Sequence, residues 1–487
     1  MAKPRIWVAV VGAGPAGLYA AEELQRRGAV VDVFERRFAP HGVVRALVAP
    51  DQQDVKRRCS LPDHVFDPGD ARFFGNVEIG RDLTLDDLRS RYDAVLLATG
   101  SPSPRRLHVP GSHRPGCLSA ADFVAWYNGE PGGEQLAPNL DGDRVVIVGM
   151  GQMALDAARI LVRHPSELEP TDISGHALRA LRKSHVREVV LVGRRGPDQA
   201  TFEDRDFLDL CELRGVQVHV EGIEGLAPHL ITRRGEVLRE LESPHKRDRG
   251  RRVVLRFLTS VTEYLGDGPP IEGGRVKSVR LERNELVDSL DGYRAAGTSQ
   301  FEELTTSLVL EALGSVPEPM AGVPFDRIWD IVPNDAGRVL ASGRGQLVPG
   351  LYVAGSVKQR SIRSIEQNRS SAIETVERLF DDLRRRPTTR RGEDVMLTLD
   401  RRSVRYLTWW DWSRLDQREL QQGQASGKVR EKFSSLTDAL FELGEERSEV
   451  RSSPLGSGLY GTERSSGFQT EEFGAGSELD PERDWGD

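Results

Sequence analysis

Two short apolar runs, each ending in a glycine-rich turn that opens a helix-like pattern, constrain this chain more than anything else in it. The first is residues 7–11 followed by Gly12-Ala13-Gly14-Pro15-Ala16-Gly17; the second is residues 145–148 followed by Gly149-Met150-Gly151-Gln152-Met153-Ala154. A buried strand, a tight glycine turn and a helix bring backbone close to a pyrophosphate. The helix start then offers it free N–H groups and a partial positive charge. Either turn alone is a weak signal; a strand before and a helix after make each one a nucleotide loop.

The surrounding pattern agrees. Residues 15–27 read as a helix stopped by Gly28, residues 30–35 as the second strand and 92–99 as a later one. Segment 101–106, rich in Ser, Pro and Arg, reads as a crossing between domains. The unit restarts at Arg144, with a helix over 154–163 and a strand over 188–192. Residues 252–258 and 308–313 are β-rich, 351–354 read as a last strand returning to the first unit, and 374–384 as a helix. The predicted architecture is α/β, with two Rossmann-like dinucleotide-binding domains. The first is discontinuous (1–104 and 318–445), the second (105–317) is inserted into it, and 446–487 form a disordered acidic tail.

Composition narrows the class. At 487 residues with 38% apolar content the chain is long enough for two cores, and no apolar run reaches the length of a membrane span. Residues 6–21 have a glycine turn at their centre, which reads against an export signal. Three widely spaced cysteines, Cys59, Cys117 and Cys211, form no Cys-x-x-Cys pair; they read as incidental thiols of a cytoplasmic protein rather than a redox relay. The net charge is −8, but the tail from Glu446 carries ten acidic and four basic side chains, so the body is nearly neutral. No basic stripe with interleaved aromatics points to nucleic acid.

The two units carry opposite ribose readers. Glu35 ends the first unit's second strand, 18 positions beyond Gly17, where a carboxylate accepts hydrogen bonds from a ribose diol. The second unit's strand ends in Gly193-Arg194-Arg195-Gly196, whose guanidinium groups suit the 2′-phosphate of NADPH. As ordinary surface charges these side chains would need no ligand; their position after the glycine turns favours the ribose assignment.

Further segments carry a resemblance: Val44-Arg45 with Val48-Ala49-Pro50-Asp51, Arg72 to Val77, Asp122 to Asn128, Gly193 to Gln199, Gly350 to Gly355, and Leu407-Thr408-Trp409. With the two turns they make the chain resemble the adrenodoxin reductase-like family of FAD-containing ferredoxin–NADP reductases, over nearly everything except the tail. The resemblance implies hydride transfer from NADPH to FAD and single electrons onward to a ferredoxin-like iron–sulfur protein. It assigns FAD to Gly12, Gly14, Ala16, Gly17, Glu35, Arg36, Val44, Gly100, Gly355, Ser356 and Ile365. It assigns NADP(H) to Gly149, Gly151, Gln152, Met153, Arg194, Arg195 and Asp206. The basic run 245–252, with Lys246, Arg247 and Arg249, is a candidate docking surface for an acidic partner.

The chain also departs from that family. After its last strand the family reads Gly-Trp-x-Lys-Arg-Gly-Pro-x-Gly-x-Ile-Gly-Thr-Asn. Here Ser356 replaces the tryptophan, and Arg360, Arg363 and Glu366 replace the three later glycines, while Lys358, Ile365 and Asn368 persist. The family's Val-Ala-Pro-Asp-His stretch is preceded by glycine. Here Leu47 replaces that glycine and Gln52 the histidine, whose acidic partner aligns with Asp209. Glutamine hydrogen-bonds but does not relay a proton. The loop change leaves two expectations: an outward-facing, rearranged loop with flavin retained, or a weakened flavin-ring site. A different acceptor (oxygen, quinone or a small molecule) and a redox-silent nucleotide-binding protein stand as alternatives.

Overall fold

Strand Trp7–Val11 is buried from Val8 onward, and its neighbour Val30–Glu35 along its whole length. Strands apolar on both faces need cover on both, which a parallel sheet flanked by helices provides. The computed structural model describes residues 5–59, 61–67, 70–223, 250–268, 274–289, 292–341, 345–360, 362, 364–385 and 393–444. Lys246, Arg247, Arg249, Arg363 and the tail 446–487 lie outside the described residues.

The first sheet runs Asn334–Asp335, Arg338–Leu340, Leu347–Val353, Ala94–Leu97, Trp7–Val11, Val30–Glu35, Ala71–Gly75 in spatial order. Its last five strands are parallel and its first two pairings antiparallel. The second sheet, wholly parallel, runs Cys117–Ser119, Leu308–Glu311, Arg144–Val148, Glu188–Val192, Arg251–Arg256, Val216–Glu221. A three-stranded antiparallel sheet, Thr259–Gly266, Val276–Ser289 and Gly292–Thr305, leans against it. The chain passes between the two large sheets twice, and the passing segments pair with each other as Ser103–Pro104 and Ser315–Val316. Two dinucleotide folds, one interrupting the other, are therefore the architecture.

One element starts earlier than its sequence pattern suggests. The helix expected over 374–384 runs Ile365–Arg385. Ser364 and Gln367 form a reciprocal cap: Gln367 N donates to Ser364 Oγ at 3.2 Å and Ser364 N to Gln367 Oε1 at 3.3 Å. Glu366 in the first turn suits the helix dipole. Of the residues standing in place of the family's glycines, Glu366 thus lies in the first turn of a helix.

Segment 42–58 leaves the first sheet and seats itself on the second fold. Leu47 packs against the second fold's core, which explains an apolar side chain where the family has glycine. Asp51 accepts Arg159 Nε at 2.5 Å and Nη2 at 3.0 Å, and Arg159 is 1% exposed. Asn128 Nδ2 donates to Ala46 O at 2.9 Å. Asp172 receives the ammonium groups of Lys56 at 2.6 Å and Lys432 at 2.9 Å.

Candidate cofactor and active site

Gly12 takes φ +107°, and a Cβ there would meet Ala98 O at 2.4 Å; at Gly17 it would meet Gly12 O at 1.8 Å. Both positions exclude a side chain by contact with backbone. At Gly14, the N-cap of helix Pro15–Arg26, a Cβ would come no nearer than Gly42 Cα at 3.9 Å. No side chain caps that helix. Its first turn therefore presents backbone N–H groups beside a bare glycine, the fit an FAD pyrophosphate requires.

Glu35 is bonded to the same glycine turn. Its Oε2 accepts Ala13 N at 2.8 Å and its Oε1 accepts Arg37 N at 3.1 Å, leaving a lone pair on each oxygen for a diol. Arg36 turns away to Glu318 at 3.1 Å, tying the strand end to the returning chain. Val44 and Ala16 are buried, and a Cβ at Gly355 would meet Ala16 Cβ at 2.8 Å. Gly100 takes φ +74° with open space around it. Ser101 Oγ donates to Ser356 Oγ at 3.0 Å, joining this segment to the loop after the last strand.

In the second unit, Gly149 takes φ +133° and a Cβ would meet Ala312 O at 2.3 Å, while at Gly151 one would meet Thr201 Oγ1 at 3.0 Å. Helix Gln152–Val162 also starts without a side-chain cap. Gln152 Nε2 donates to Asp156 at 3.2 Å, and Met153 packs against the core, so their backbone rather than their side chains faces the turn. Burial pushes Asp156 up to about 6. Arg194 and Arg195 are exposed and make no side-chain hydrogen bond or ion pair among the described residues.

Gln52 joins the two units. Its Nε2 donates to Asp206 Oδ1 at 3.2 Å, across the interface. This corrects the alignment-based partner: Asp209 sits on the same helix, Asp204–Cys211, but on its exposed face, whereas Asp206 is half-buried. Three positions along a helix turn a side chain by some −60°, and the register chosen by the buried Phe207 and Leu210 sends Asp209 outward.

In the altered loop, Gly355 N donates to Ser371 Oγ at 3.1 Å, and Val357 is buried. Lys358, 5% exposed, turns inward to Glu374 at 2.5 Å and Thr375 Oγ1 at 3.2 Å. Arg360 and Glu366 are exposed. Ile365 is half-buried and begins the long helix.

Several long-range contacts around the site escape a sequence reading. Asp51 lies in a quoted motif, yet its pairing with Arg159 crosses 108 positions. Arg45 reaches Glu419, fully buried, at 2.6 and 2.9 Å, and stacks over Trp412 at 5.0 Å. Asn284, which contacts the arginine turn, is one polar residue in a strand of alternating charge and gives no local signal. The three cysteines are free, and burial pushes the Cys117 thiol up to about 12 and the Cys211 thiol to about 11. No helix among the described residues is long and apolar enough to cross a membrane.

Residues 7–372 match the family described as "Pyridine nucleotide-disulphide oxidoreductase". The chain is 37% identical over 459 residues to human NADPH:adrenodoxin oxidoreductase, mitochondrial, covering 90% of this chain and 92% of the relative. It is 36% identical over 462 residues to the NADPH-ferredoxin reductase FprA of Mycobacterium tuberculosis, covering 89% and 98%. Among solved structures, FprA in complex with NADPH superposes with TM-score 0.83 at 34% identity, covering 91% of this chain and 100% of that one. A histidine-to-glutamine mutant of FprA gives 0.84 at 35%, with the same coverage. By motif, fold and extent of identity, this chain belongs to the pyridine nucleotide-disulphide oxidoreductase family, in its adrenodoxin reductase and FprA branch.

Proposed function

We propose that this protein is an NADPH-dependent FAD oxidoreductase of the ferredoxin–NADP(+) reductase type, which takes hydride from NADPH and delivers single electrons to a ferredoxin-like iron–sulfur protein. The observation that carries the reading is the asymmetry of the two ribose positions. A carboxylate held by two backbone N–H groups serves one, and two guanidinium groups without a partner among the described residues serve the other. The first fits an unmodified ribose as in FAD, the second a 2′-phosphate as in NADPH. Bound FAD supplies the conversion of a two-electron donor into single electrons. The chain's own contribution is placement: Gly12, Gly14, Gly17 and Glu35 hold one nucleotide, and Gly149, Gly151, Arg194 and Arg195 the other. The Gln52–Asp206 bond links the two units.

The domain division 1–104 with 318–445, and 105–317, is our proposal, supported by the paired crossing strands. So is docking of an acidic partner on Lys246, Arg247 and Arg249, which rests on sequence charge alone. The free cysteines fit a reducing cytoplasm. The deciding measurement is the visible absorption of the purified protein before and after anaerobic NADPH. Flavin bands that bleach are expected. Bands that persist would favour a blocked hydride step, and a colourless protein that takes up no FAD would overturn the reading.

A further inference from the structure

Three successive carbonyls of the arginine turn are each held. Gly193 O accepts Thr259 N at 3.0 Å, Arg194 O accepts Asn284 Nδ2 at 2.9 Å, and Arg195 O accepts Leu258 N at 3.2 Å. Two of these donors are backbone groups; the middle one is a side chain 90 positions away in sequence. Asn284 lies in strand Val276–Ser289, where the pairing with Gly292–Thr305 slips register between Glu282 and Asn284. Its own N–H donates to Leu258 O at 2.7 Å, and its second amide hydrogen goes to Ser260 Oγ at 2.8 Å. At 4% exposure the amide is committed on both hydrogens. Leu258 stands at φ +48°, a left-handed conformation that a non-glycine residue keeps only when its surroundings hold it.

We infer that Asn284 is a positioning residue for 2′-phosphate selectivity, acting through the backbone of Arg194 without touching nucleotide. The inference rests on Arg194 and Arg195 being the 2′-phosphate readers. Arginine is a long side chain, and its forked donors select an anion well only from a fixed origin. Here that origin is clamped by the antiparallel sheet, so the selectivity of one fold depends on a residue of the appended sheet.

The test is calorimetric titration of the flavin-loaded protein with 2′,5′-ADP and, separately, with 5′-ADP, which lacks the 2′-phosphate. Asn284→Asp keeps the volume and puts an acceptor against the Arg194 carbonyl; Asn284→Ala removes the donor. Both should weaken 2′,5′-ADP about tenfold, the order of one hydrogen bond to a charged group, and leave 5′-ADP within about twofold. The loss should vanish when Asn284→Asp is made on an Arg194→Ala, Arg195→Ala background. Equal weakening of both ligands would make Asn284 merely structural and overturn the inference. No weakening in either Asn284 variant, with clear weakening in the arginine variant, would overturn it and leave the arginine reading intact. An arginine variant with unchanged affinity would remove the arginine reading itself.

Discussion

At the scale of single residues, we propose that charge type decides which nucleotide goes where. Glu35 accepts two backbone N–H groups, and a Glu35→Gln amide would have to turn an NH2 toward one of them. Losing a charge-assisted bond costs about 1.5–3 kcal/mol, so FAD affinity should fall roughly tenfold or more, read by fluorescence titration of the apoprotein. The double variant Arg194→Ala, Arg195→Ala should lower kcat/KM for NADPH by roughly a hundredfold and leave NADH unchanged in dye-reduction kinetics. Gln52 does not titrate. Gln52→His should therefore add an inflection near ~6.5 to the pH profile of NADPH-driven dye reduction, which the natural protein lacks at this position. Sequence singled out all of these residues as candidates; it missed that Asp206, not Asp209, faces Gln52, because only the helix's buried face fixes which way each carboxylate points.

At the scale of elements, the glycine turns are rigid requirements and the altered loop is a helix start. A Cβ at Gly17 would overlap the Gly12 carbonyl at 1.8 Å, so Gly17→Ala should yield protein that retains no flavin, checked by its absorption spectrum. The cap at Ser364 is weaker: Ser364→Ala should cost about 0.5–2 kcal/mol, read as a lowered Tm with flavin retained. The parallel strands were legible because a run such as VVDVFE, buried throughout, has few other places to go. Helix Ile365–Arg385 was legible only from its middle. Its start depends on a reciprocal side-chain cap in a segment that reads from sequence as part of an altered loop.

At the scale of the whole molecule, the two folds are joined through buried charge. Asp51 and Arg159 are both nearly inaccessible, so Asp51→Ala would leave the guanidinium with Asp156 at 2.8 Å as its remaining carboxylate and should destabilise by about 1.5–3 kcal/mol in denaturant unfolding. The Lys56–Asp172–Lys432 group makes the joint sensitive to pH. Burial and the neighbouring Lys432 ammonium push Lys56 down to about 7, whereas those two ammonium groups hold Asp172 well below the usual carboxylate range despite its burial. An unfolded lysine titrates near ~10.4, so between these values the unfolded chain holds more protons than the folded one. This group therefore costs stability below about 7, and the cost is relieved as pH rises. Relative to the natural protein, the Tm of Lys56→Met should be highest near pH ~6 and decline toward pH ~9, by calorimetry.

The sequence by itself determined the parts whose physics is local: two strand–glycine–helix units, opposite charges at the ends of their second strands, and a family. Strand periodicity and glycine geometry act over a few residues, so they can be read without a fold. Tertiary structure alone decided what spans long separations: the seating of segment 42–58 on the second fold, the partner of Gln52, and the Asn284 clamp on Arg194. Those contacts join residues some 80 to 154 positions apart, and no pattern within either segment records the other.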